Sequence, residues 1–351
     1  MRRPPIPLLA MALALSAVAL VRAADDLVLT RFGEYLDALR VQAGIPGLAA
    51  AIVGPTEVTW EGAFGQQDVD RNIATRLATP FQLDDTTQTI VATLAVRCAS
   101  DGWLSLDDRV SKYAPNSPDA SATIGQLLTH TTAGQAGLTF SYRPARLAPV
   151  AAAIAGCTDS SFRWGVGAFL EKMGMYDSVP GADVIQLTAP AEAFTASALQ
   201  RYAGVVRSLA TPYATGGGRA ASSYVANSLT PASGLISTVR DLEQFDLSLK
   251  SGLALRPEWR TFAFTPPNDA GGSPLPHAYG WFVQNYNGGR VAWHHGVSDN
   301  ASSSMVITLP QRGVTLILLA NSPGLVRPFD LSAGDVTVSP FARLFLSIFV
   351  R

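Results

Sequence analysis

The sequence has little charge and few lysines. Only 15% of its 351 residues are Asp, Glu, Lys or Arg and 48% are hydrophobic, which excludes a disordered chain and allows a large core. The net charge is −1 and the basic residues do not cluster, so the chain lacks the basic surface that nucleic acid or an anionic membrane would require. Only three lysines occur, Lys112, Lys172 and Lys250, which limits where a catalytic lysine could stand.

Long hydrophobic runs are also missing, apart from one near the N-terminus. Arg2 and Arg3 precede an apolar stretch of 13 residues, 8–20, and small residues follow at 21 and 23. This arrangement is typical of a secretory signal peptide. The stretch is shorter than the ~20 residues that span a bilayer, so an uncleaved anchor is the less favoured alternative. We therefore expect residues 1–23 to be a signal peptide, and the mature protein to be exported, to the periplasm, with no further membrane span.

Cysteine is nearly absent, with only Cys98 and Cys157. Neither has His or Cys neighbours at metal-ligand spacing, which excludes a zinc site or a thiol nucleophile built on them. An exported protein can form a disulfide, but both residues lie in apolar helix-like segments where buried free cysteine is common. The sequence leaves both states open and slightly favours free thiols. It predicts no cofactor and no metal.

The hydrophobic pattern predicts strands at both ends of the chain around a helical middle. Alternation and turn residues predict strands, and apolar residues at helical spacing predict helices. The predicted elements are a helix over 26–43, a hairpin over 48–64, a buried helix over 86–100, strands over 279–286, 290–294, 303–309 and 314–320, and a closing helix over 339–350. We predict one α+β domain, residues 24–351. Its antiparallel sheet, flanked by the terminal helices, comes from about 24–80 and 276–351, and an all-helical part over about 81–275 is inserted.

Short motifs stand in a recognisable order between residues 44 and 322. They are GIPGLAAAIV, TPFQLDDTTQTIVATLAVRCASDGWLSLDD, TIGQLLTHTTAG, FSYRP, PASGLISTVRDLEQF, YGWFV, WHHG and LPQRGVTLILLANS. This order resembles the serine β-lactamase-related hydrolases, which include class C β-lactamases, DD-peptidases and esterases of the penicillin-binding-protein type. The resemblance implies an antiparallel sheet joined to a helical subdomain, with the site in the cleft between them.

The resemblance also implies three catalytic elements: Ser-x-x-Lys at the start of the buried helix, Tyr-x-Asn on a loop, and Lys/His-x-Gly on a facing strand. In the first, Asp85 stands at the serine position and Gln88 at the lysine position. In the second, Tyr142 is kept and Pro144 replaces the asparagine. The third is matched by residues 294–296, His-His-Gly, so His294 is a candidate catalytic residue, and His295 and Gly296 are candidate substrate-binding residues.

Asp85 and Gln88 remove the chemistry that the family pattern requires. Acyl transfer needs a hydroxyl nucleophile and a group that accepts its proton, whereas a carboxylate is a poor nucleophile and an amide is no base. A negative charge at Asp85 would also repel an oxyanion formed beside it. The sequence therefore predicts a catalytically impaired member of the family, with a cleft that still binds a small-molecule, peptide or cell-wall-type ligand.

Alternatives remain open. One is a hydrolase with a relocated nucleophile, for which Thr86, Thr87 and Thr89 are the nearest hydroxyls. Another is a metal or acid–base site around Asp85 and His294. The plainest alternative is that Asp85 and its neighbour Asp84 merely cap the buried helix.

Two of the histidine assignments depend on simple geometry. Neighbouring residues of a strand point to opposite faces, so we expect only one of His294 and His295 to enter the cleft, and His295 to be exposed or packed outside. His130 follows a helix, and we expect it to bond nearby backbone and to be structural.

Overall fold

The computed structural model describes residues 27–131, 138–186, 194–214, 221–224 and 228–350. The predicted signal peptide lies outside these ranges. No helix in the described ranges is long and apolar enough to cross a membrane.

A seven-stranded antiparallel sheet forms the centre of the molecule, in the order β3-β2-β1-β10-β9-β8-β7. Its strands are β1 (Gly47–Val53), β2 (Val58–Asp68), β3 (Ile73–Ala74), β7 (Phe282–Tyr286), β8 (Gly289–Ser298), β9 (Ser302–Leu309) and β10 (Val314–Ala320). N-terminal and C-terminal strands therefore share one sheet, because β1 pairs with β10. This confirms the arrangement predicted from the two alternating ends of the chain.

Both faces of the sheet are covered. In β1, Ala49 and Ala51 face one hydrophobic cluster, which includes the buried helix α2 (Thr87–Ser100), while Leu48 and Ile52 face the other. The second cluster contains the terminal helices α1 (27–42) and α9 (Pro340–Phe349). Burial on both sides explains why β1 is a continuous apolar run rather than an alternating one.

The middle of the chain is mainly helical. Its helices are α2, α3 (Ile124–Leu128), α4 (Val150–Thr158), α5 (Phe162–Lys172), α6 (Ala196–Arg207), α7 (Val239–Ser251) and α8 (Pro257–Ala263). A small antiparallel sheet that the sequence pattern did not predict joins β4 (Phe81–Gln82), β6 (Leu235–Ser237) and β5 (Val179–Pro180). Its strands are only two or three residues long, too short to show a period of two.

Cys98 and Cys157 form a disulfide, with their Cα atoms 6.0 Å apart. The preference for free thiols was therefore wrong. The bond joins α2 to α4, and helical period alone could not show that these two faces meet.

One edge of the main sheet is left partly open. Strand β7 pairs with β8 only as far as Phe282, which lies opposite Trp293. Residues 294–298 of β8 therefore pair with β9 on one side but have no β7 partner on the other. The aromatic side chains that cover this edge belong to the candidate site.

Candidate functional site

The turn that leads into α2 is pinned to the sheet. Asp84, in a 3-10 turn over Asp84–Thr86, has a φ of +49°, in the left-handed region that Asp and Asn tolerate better than most residues. Ser302 Oγ donates to Asp84 Oδ2 at 2.7 Å, and Ser304 Oγ donates to the carbonyl oxygen of Leu83 at 2.6 Å. Two serines of β9 thus fix the turn that presents Asp85.

The acidic pair does not cap the helix through side-chain hydrogen bonds, although both residues stand in the first, 3-10 turn, where acidic residues match the helix dipole. Neither the 3-10 turn nor α2 has a side-chain hydrogen bond at its N-cap, and Asp84 bonds to Ser302 of the sheet instead. Asp84 is buried, whereas Asp85 is only partly buried. Of the two carboxyl groups, Asp85 is therefore the one that a ligand can reach.

Burial raises the pKa of Asp84 to about 8, against the opposing hydrogen bond from Ser302. Near neutral pH the folded protein therefore keeps this proton, whereas the unfolded chain, with a carboxyl pKa of 3.8, has already released it. The stabilising contribution of this proton is complete below a pH of about 4 and is lost as the pH rises through about 8.

We therefore expect Asp84→Asn to flatten the alkaline loss of stability. The amide never ionises, still accepts from Ser302 and tolerates the left-handed φ. Between about pH 6.5 and about pH 9, the free energy of unfolding should fall by on the order of 1 kcal/mol less in the variant than in the parent. Urea denaturation at the two pH values measures this.

Asp108→Asn is the matched control for this prediction. Hydrogen bonds from Lys112 and Tyr113 lower the pKa of Asp108 to about 2, so that carboxylate stays ionised throughout the range. An equal decline in the parent and in Asp84→Asn would show that Asp84 does not titrate in this interval.

A chain of hydrogen bonds connects the positions that the family pattern marks as catalytic. Tyr142 Oη donates to Asp85 Oδ2 at 3.1 Å, and Gln88 Nε2 donates to Tyr142 Oη at 3.0 Å. Gln88 Oε1 lies 2.8 Å from His130 Nε2, and the backbone N–H of Arg143 donates to His130 Nδ1 at 3.2 Å. Because Nδ1 accepts, Nε2 carries the proton and donates to Gln88.

The direction of this chain fixes the protonation of its members. Burial lowers the pKa of His130 to about 3, so the imidazole is neutral. Burial and the neighbouring Asp85 raise the pKa of Tyr142 well above its usual value, so its hydroxyl stays protonated and donates. His130 does bond backbone, as predicted, but it also orients the amide of Gln88.

Asp85 is the acceptor at the end of the chain. Burial raises its pKa to about 7, although the hydrogen bond from Tyr142 opposes the shift. Its Oδ1 makes no hydrogen bond to a described residue, and no described Lys or Arg forms an ion pair with it. The site thus holds a carboxyl group close to the point of ionisation at neutral pH.

Gly296 lets β8 approach the turn before α2. A Cβ at this position would lie 2.8 Å from the backbone N of Asp85, and closer still to the carbonyl oxygen of Leu83. Distances under 3.0 Å are essentially never seen for real Cβ atoms, so a side chain here forces the backbone apart. The glycine of His-x-Gly is therefore required by the packing of strand against turn.

We expect Gly296→Ala to destabilise the protein by about 1–3 kcal/mol through overpacking. Gly204→Ala is the control, because a Cβ on Gly204 of α6 meets nothing within 4 Å and Ala is the better helix former. Thermal or urea unfolding compares the two. Equal stability of Gly296→Ala and the parent would mean that the strand and the turn are not in close contact.

His294 and His295 are both buried, with His295 only 4% exposed. Of the two alternatives for His295, the exposed one was wrong, because the side chain is packed in the interior. Its ring centroid is 5.9 Å from that of Tyr142, and the His294 centroid is 6.1 Å from it. Because β8 lacks a β7 partner here, Tyr142 covers the open edge and contacts rings on both faces of the strand.

His277, which the sequence analysis did not single out, joins the same group of rings. Its centroid is 4.7 Å from that of His130 and 6.0 Å from that of His294. All four histidines of the chain therefore meet here, although they lie far apart in sequence. The residues before β7 carry no pattern that could have revealed His277.

Three imidazole nitrogens in this group, His277 Nε2, His294 Nε2 and His295 Nδ1, are buried without a described partner. His277 Nδ1 donates to the carbonyl oxygen of Ala278 at 2.6 Å, and His294 Nδ1 donates to that of His295 at 2.8 Å. The Nε2 atoms of His277 and His294 are therefore lone-pair acceptors, and both are buried without a hydrogen bond. Burial lowers the pKa of both residues well below the usual value, so they stay neutral.

The three threonines near Asp85 are held in the fold. Thr87 Oγ1 accepts from the backbone N–H of Leu235, and Thr89 Oγ1 donates to the carbonyl oxygen of Thr86. Thr86 Oγ1 lies 2.8 Å from Ser304 Oγ. All three side chains are at most 1% exposed. None presents a free hydroxyl to a substrate.

Pro144 opens a short 3-10 helix, Pro144–Leu147, and supplies no side-chain donor or acceptor. For a metal, the described residues contain no group of three or more His, Cys, Asp or Glu that could hold one. The structure thus brings Asp85, Gln88 and Tyr142 together directly.

Comparisons with known proteins agree with this geometry. Residues 32–335 match a family model described as Beta-lactamase. The chain is 22% identical to Protein flp of Staphylococcus aureus (strain MRSA252), over 79% of this chain but only 60% of that protein. It is 30% identical to a Beta-lactamase of Psychrobacter immobilis, over 35% of this chain and 31% of that protein.

Solved structures are similar over most of the chain. The D-alanine Carboxypeptidase AmpC of Burkholderia cenocepacia aligns with a TM-score of 0.70 and 17% identity, covering 92% of this chain and 99% of that one. A penicillin binding protein of Bacillus halodurans aligns with a TM-score of 0.66 and 16% identity, covering 89% and 97%. At these identities the likeness establishes the fold.

Proposed function

The chain belongs to the Beta-lactamase family, and from that membership we propose that it is an exported, non-hydrolysing member whose cleft binds a small-molecule or peptide ligand. The family fold does not decide activity, because the same scaffold supports different chemistry according to its site. The side chains that would perform acyl transfer therefore carry the argument.

The observation that carries the proposal is the placement of Gln88. Both polar atoms of its side chain form hydrogen bonds: Nε2 donates to Tyr142 and Oε1 accepts from His130. An amide in this position neither takes up a proton nor supplies positive charge. The site thus lacks both a hydroxyl at residue 85 and a base at residue 88.

The state of Asp85 supports the same conclusion. At neutral pH its carboxyl is partly protonated, and attack on an ester or amide would in any case give an anhydride rather than a stable acyl-serine. The nearby threonine hydroxyls are buried and bonded, which weighs against a relocated nucleophile. A metal-dependent activity finds less support, since the described residues offer no suitable group of ligands.

The scaffold around these positions is nevertheless intact. Gly296 still packs against the turn, Tyr142 still contacts residues 85 and 88, and β8 has no β7 partner beyond Trp293. Burying these polar groups costs stability, and ligand binding in the cleft would explain why the arrangement is kept. This supports retained binding after loss of hydrolysis.

Export has separate support. The leader-like residues 1–23 suit secretion, and the Cys98–Cys157 disulfide is of a kind that persists in oxidising compartments and is rare in the cytosol. We propose the periplasm as the location. Fractionation of cells that express the full chain tests this, and a cytosolic protein with its N-terminus intact would overturn it.

Steady-state assays test the catalytic part of the proposal. With a chromogenic cephalosporin and with p-nitrophenyl acetate, we expect the purified protein to hydrolyse no faster than Asp85→Ala at equal concentration. Asp107→Ala, an exposed carboxylate outside the site, serves as the matched control for preparation-dependent background. Turnover that Asp85→Ala abolishes and Asp107→Ala retains would identify an active hydrolase.

A further inference from the structure

Building on the proposed function, we propose that the cleft recognises its ligand through a cationic ammonium group, bound by the carboxylate of Asp85 beside the ring of Tyr142.

The charges at residues 85 and 88 favour a cationic ligand. Relative to the family pattern, Asp85 adds a negative charge where a serine is expected, and Gln88 removes a positive charge where a lysine is expected. The polarity of this part of the cleft is therefore reversed. A site that favours anionic groups would need the donors and cations that residues 85 and 88 no longer supply.

Unused hydrogen-bond acceptors at Asp85 and in the neighbouring rings also favour an ammonium group. Asp85 uses Oδ2 to accept from Tyr142, while Oδ1 makes no hydrogen bond to a described residue and the side chain is partly exposed. In the same group of rings, the Nε2 atoms of His277 and His294 are buried, unprotonated and without a described partner. Asp85 Oδ1 and these two nitrogens are therefore unused acceptors, which suit a donor-rich ligand.

The aromatic rings around Asp85 favour the same kind of ligand. Tyr142 bonds directly to Asp85, and its ring centroid lies between 4.6 and 6.2 Å from the centroids of all four histidine rings. An aromatic ring next to a desolvated carboxylate favours an ammonium ion by both cation–π and ion-pair attraction. The residue that follows Tyr142 in the sequence is an exposed cation, Arg143, whose backbone N–H bonds to His130. No described ion pair joins it to Asp85.

Three probes that share a phenethyl group test the inference: phenethylammonium, its neutral derivative N-phenethylacetamide, and the anion 3-phenylpropionate. Titration calorimetry is done at about pH 8, where the carboxyl of Asp85, with a pKa of about 7, is mostly ionised. We expect phenethylammonium to bind at least tenfold more tightly than either other probe, and Asp85→Asn to remove at least tenfold of that affinity.

Two variants control the result. Asp107→Asn removes an exposed carboxylate outside the site and should bind like the parent. Asp85→Glu keeps the charge and should retain the order of the three probes, which guards against misfolding as the cause of a loss. A preference for 3-phenylpropionate, a preference for phenethylammonium that survives Asp85→Asn, or no binding of any probe would each overturn the inference.

These outcomes are distinct from failure of the proposed function. Asp85-dependent turnover of the chromogenic substrates refutes the non-hydrolysing role whatever the probes do. Tight binding of an anion without turnover refutes the ammonium assignment and leaves the non-hydrolysing role standing.

Discussion

Asp85→Ser combined with Gln88→Lys is expected to make the protein form a covalent acyl adduct with benzylpenicillin, and the parent is expected to form none. The pair restores a hydroxyl and a base at the two positions where the family pattern requires them. Tyr142 already contacts both residues, and Gly296 already brings β8 against the turn. We expect acylation at least about 100-fold faster than in the parent, since one catalytic group is usually worth that much.

The two single variants are the controls for this gain. Asp85→Ser alone has no base, and Gln88→Lys alone has no nucleophile, so both should remain unlabelled. In the double variant, a lysine ammonium at residue 88 would face the Nε2–H of His130. Relief requires the other imidazole tautomer, which gives up the bond from the Arg143 backbone N–H. We therefore expect the double variant to be slow compared with an efficient enzyme of this family.

Pro144→Asn added to the double variant completes the test. It returns the side-chain amide that the second motif lacks. If the triple variant folds like the parent and still forms no adduct, the changes at Asp85 and Gln88 are not what silences the site, and the account fails.

Reduction of the Cys98–Cys157 disulfide is expected to lower the free energy of unfolding by about 4 kcal/mol. The bond closes a loop of 59 residues, and the unfolded chain gains conformational entropy when that loop opens. The bond also holds α2, which begins at the site, against α4. Urea denaturation of the parent with and without reductant measures the effect without any change of sequence.

The double variant Cys98→Ala with Cys157→Ala is the control for reductant itself. It should be less stable than the oxidised parent and should not respond to reductant. A loss below about 1 kcal/mol on reduction of the parent would contradict the loop-closure argument. It would mean that residual structure already holds the two cysteines close together in the unfolded chain.

The elements with a clear period were predictable from sequence. The β1–β2 hairpin turns at Gly54-Pro55, and α2 spans nearly the predicted residues. The tail strands overlap the alternating segments, although β7 begins only at Phe282 and β8 continues to Ser298. These segments are long enough for one face to be read as buried. The three short strands β4, β5 and β6 had no such signal.

The site was predictable in position but not in connectivity. The motif order pointed to Asp85, Gln88 and Tyr142, and the structure joins them by hydrogen bonds. The bond from His130 to Gln88 spans 42 residues of sequence, and the one from Ser302 to Asp84 spans 218. Such contacts depend on how distant elements pack, which local patterns do not encode.

The burial of His295 shows the same limit. Alternation along β8 correctly separates the two faces of the strand, but it does not reveal that β7 stops opposite Trp293. Because β7 ends there, the edge of β8 is left unpaired, and the ring of Tyr142 contacts both His294 and His295 at that edge. Alternation along one strand therefore could not predict the burial of His295, because that burial depends on where the neighbouring strand ends.

Intact-protein mass spectrometry after incubation with benzylpenicillin and with a fluorophosphonate tests the central claim most directly. With no hydroxyl at residue 85 and no base at residue 88, the account predicts only the unmodified mass of the parent protein. A stoichiometric adduct on the parent, absent from Asp85→Ala, would contradict it.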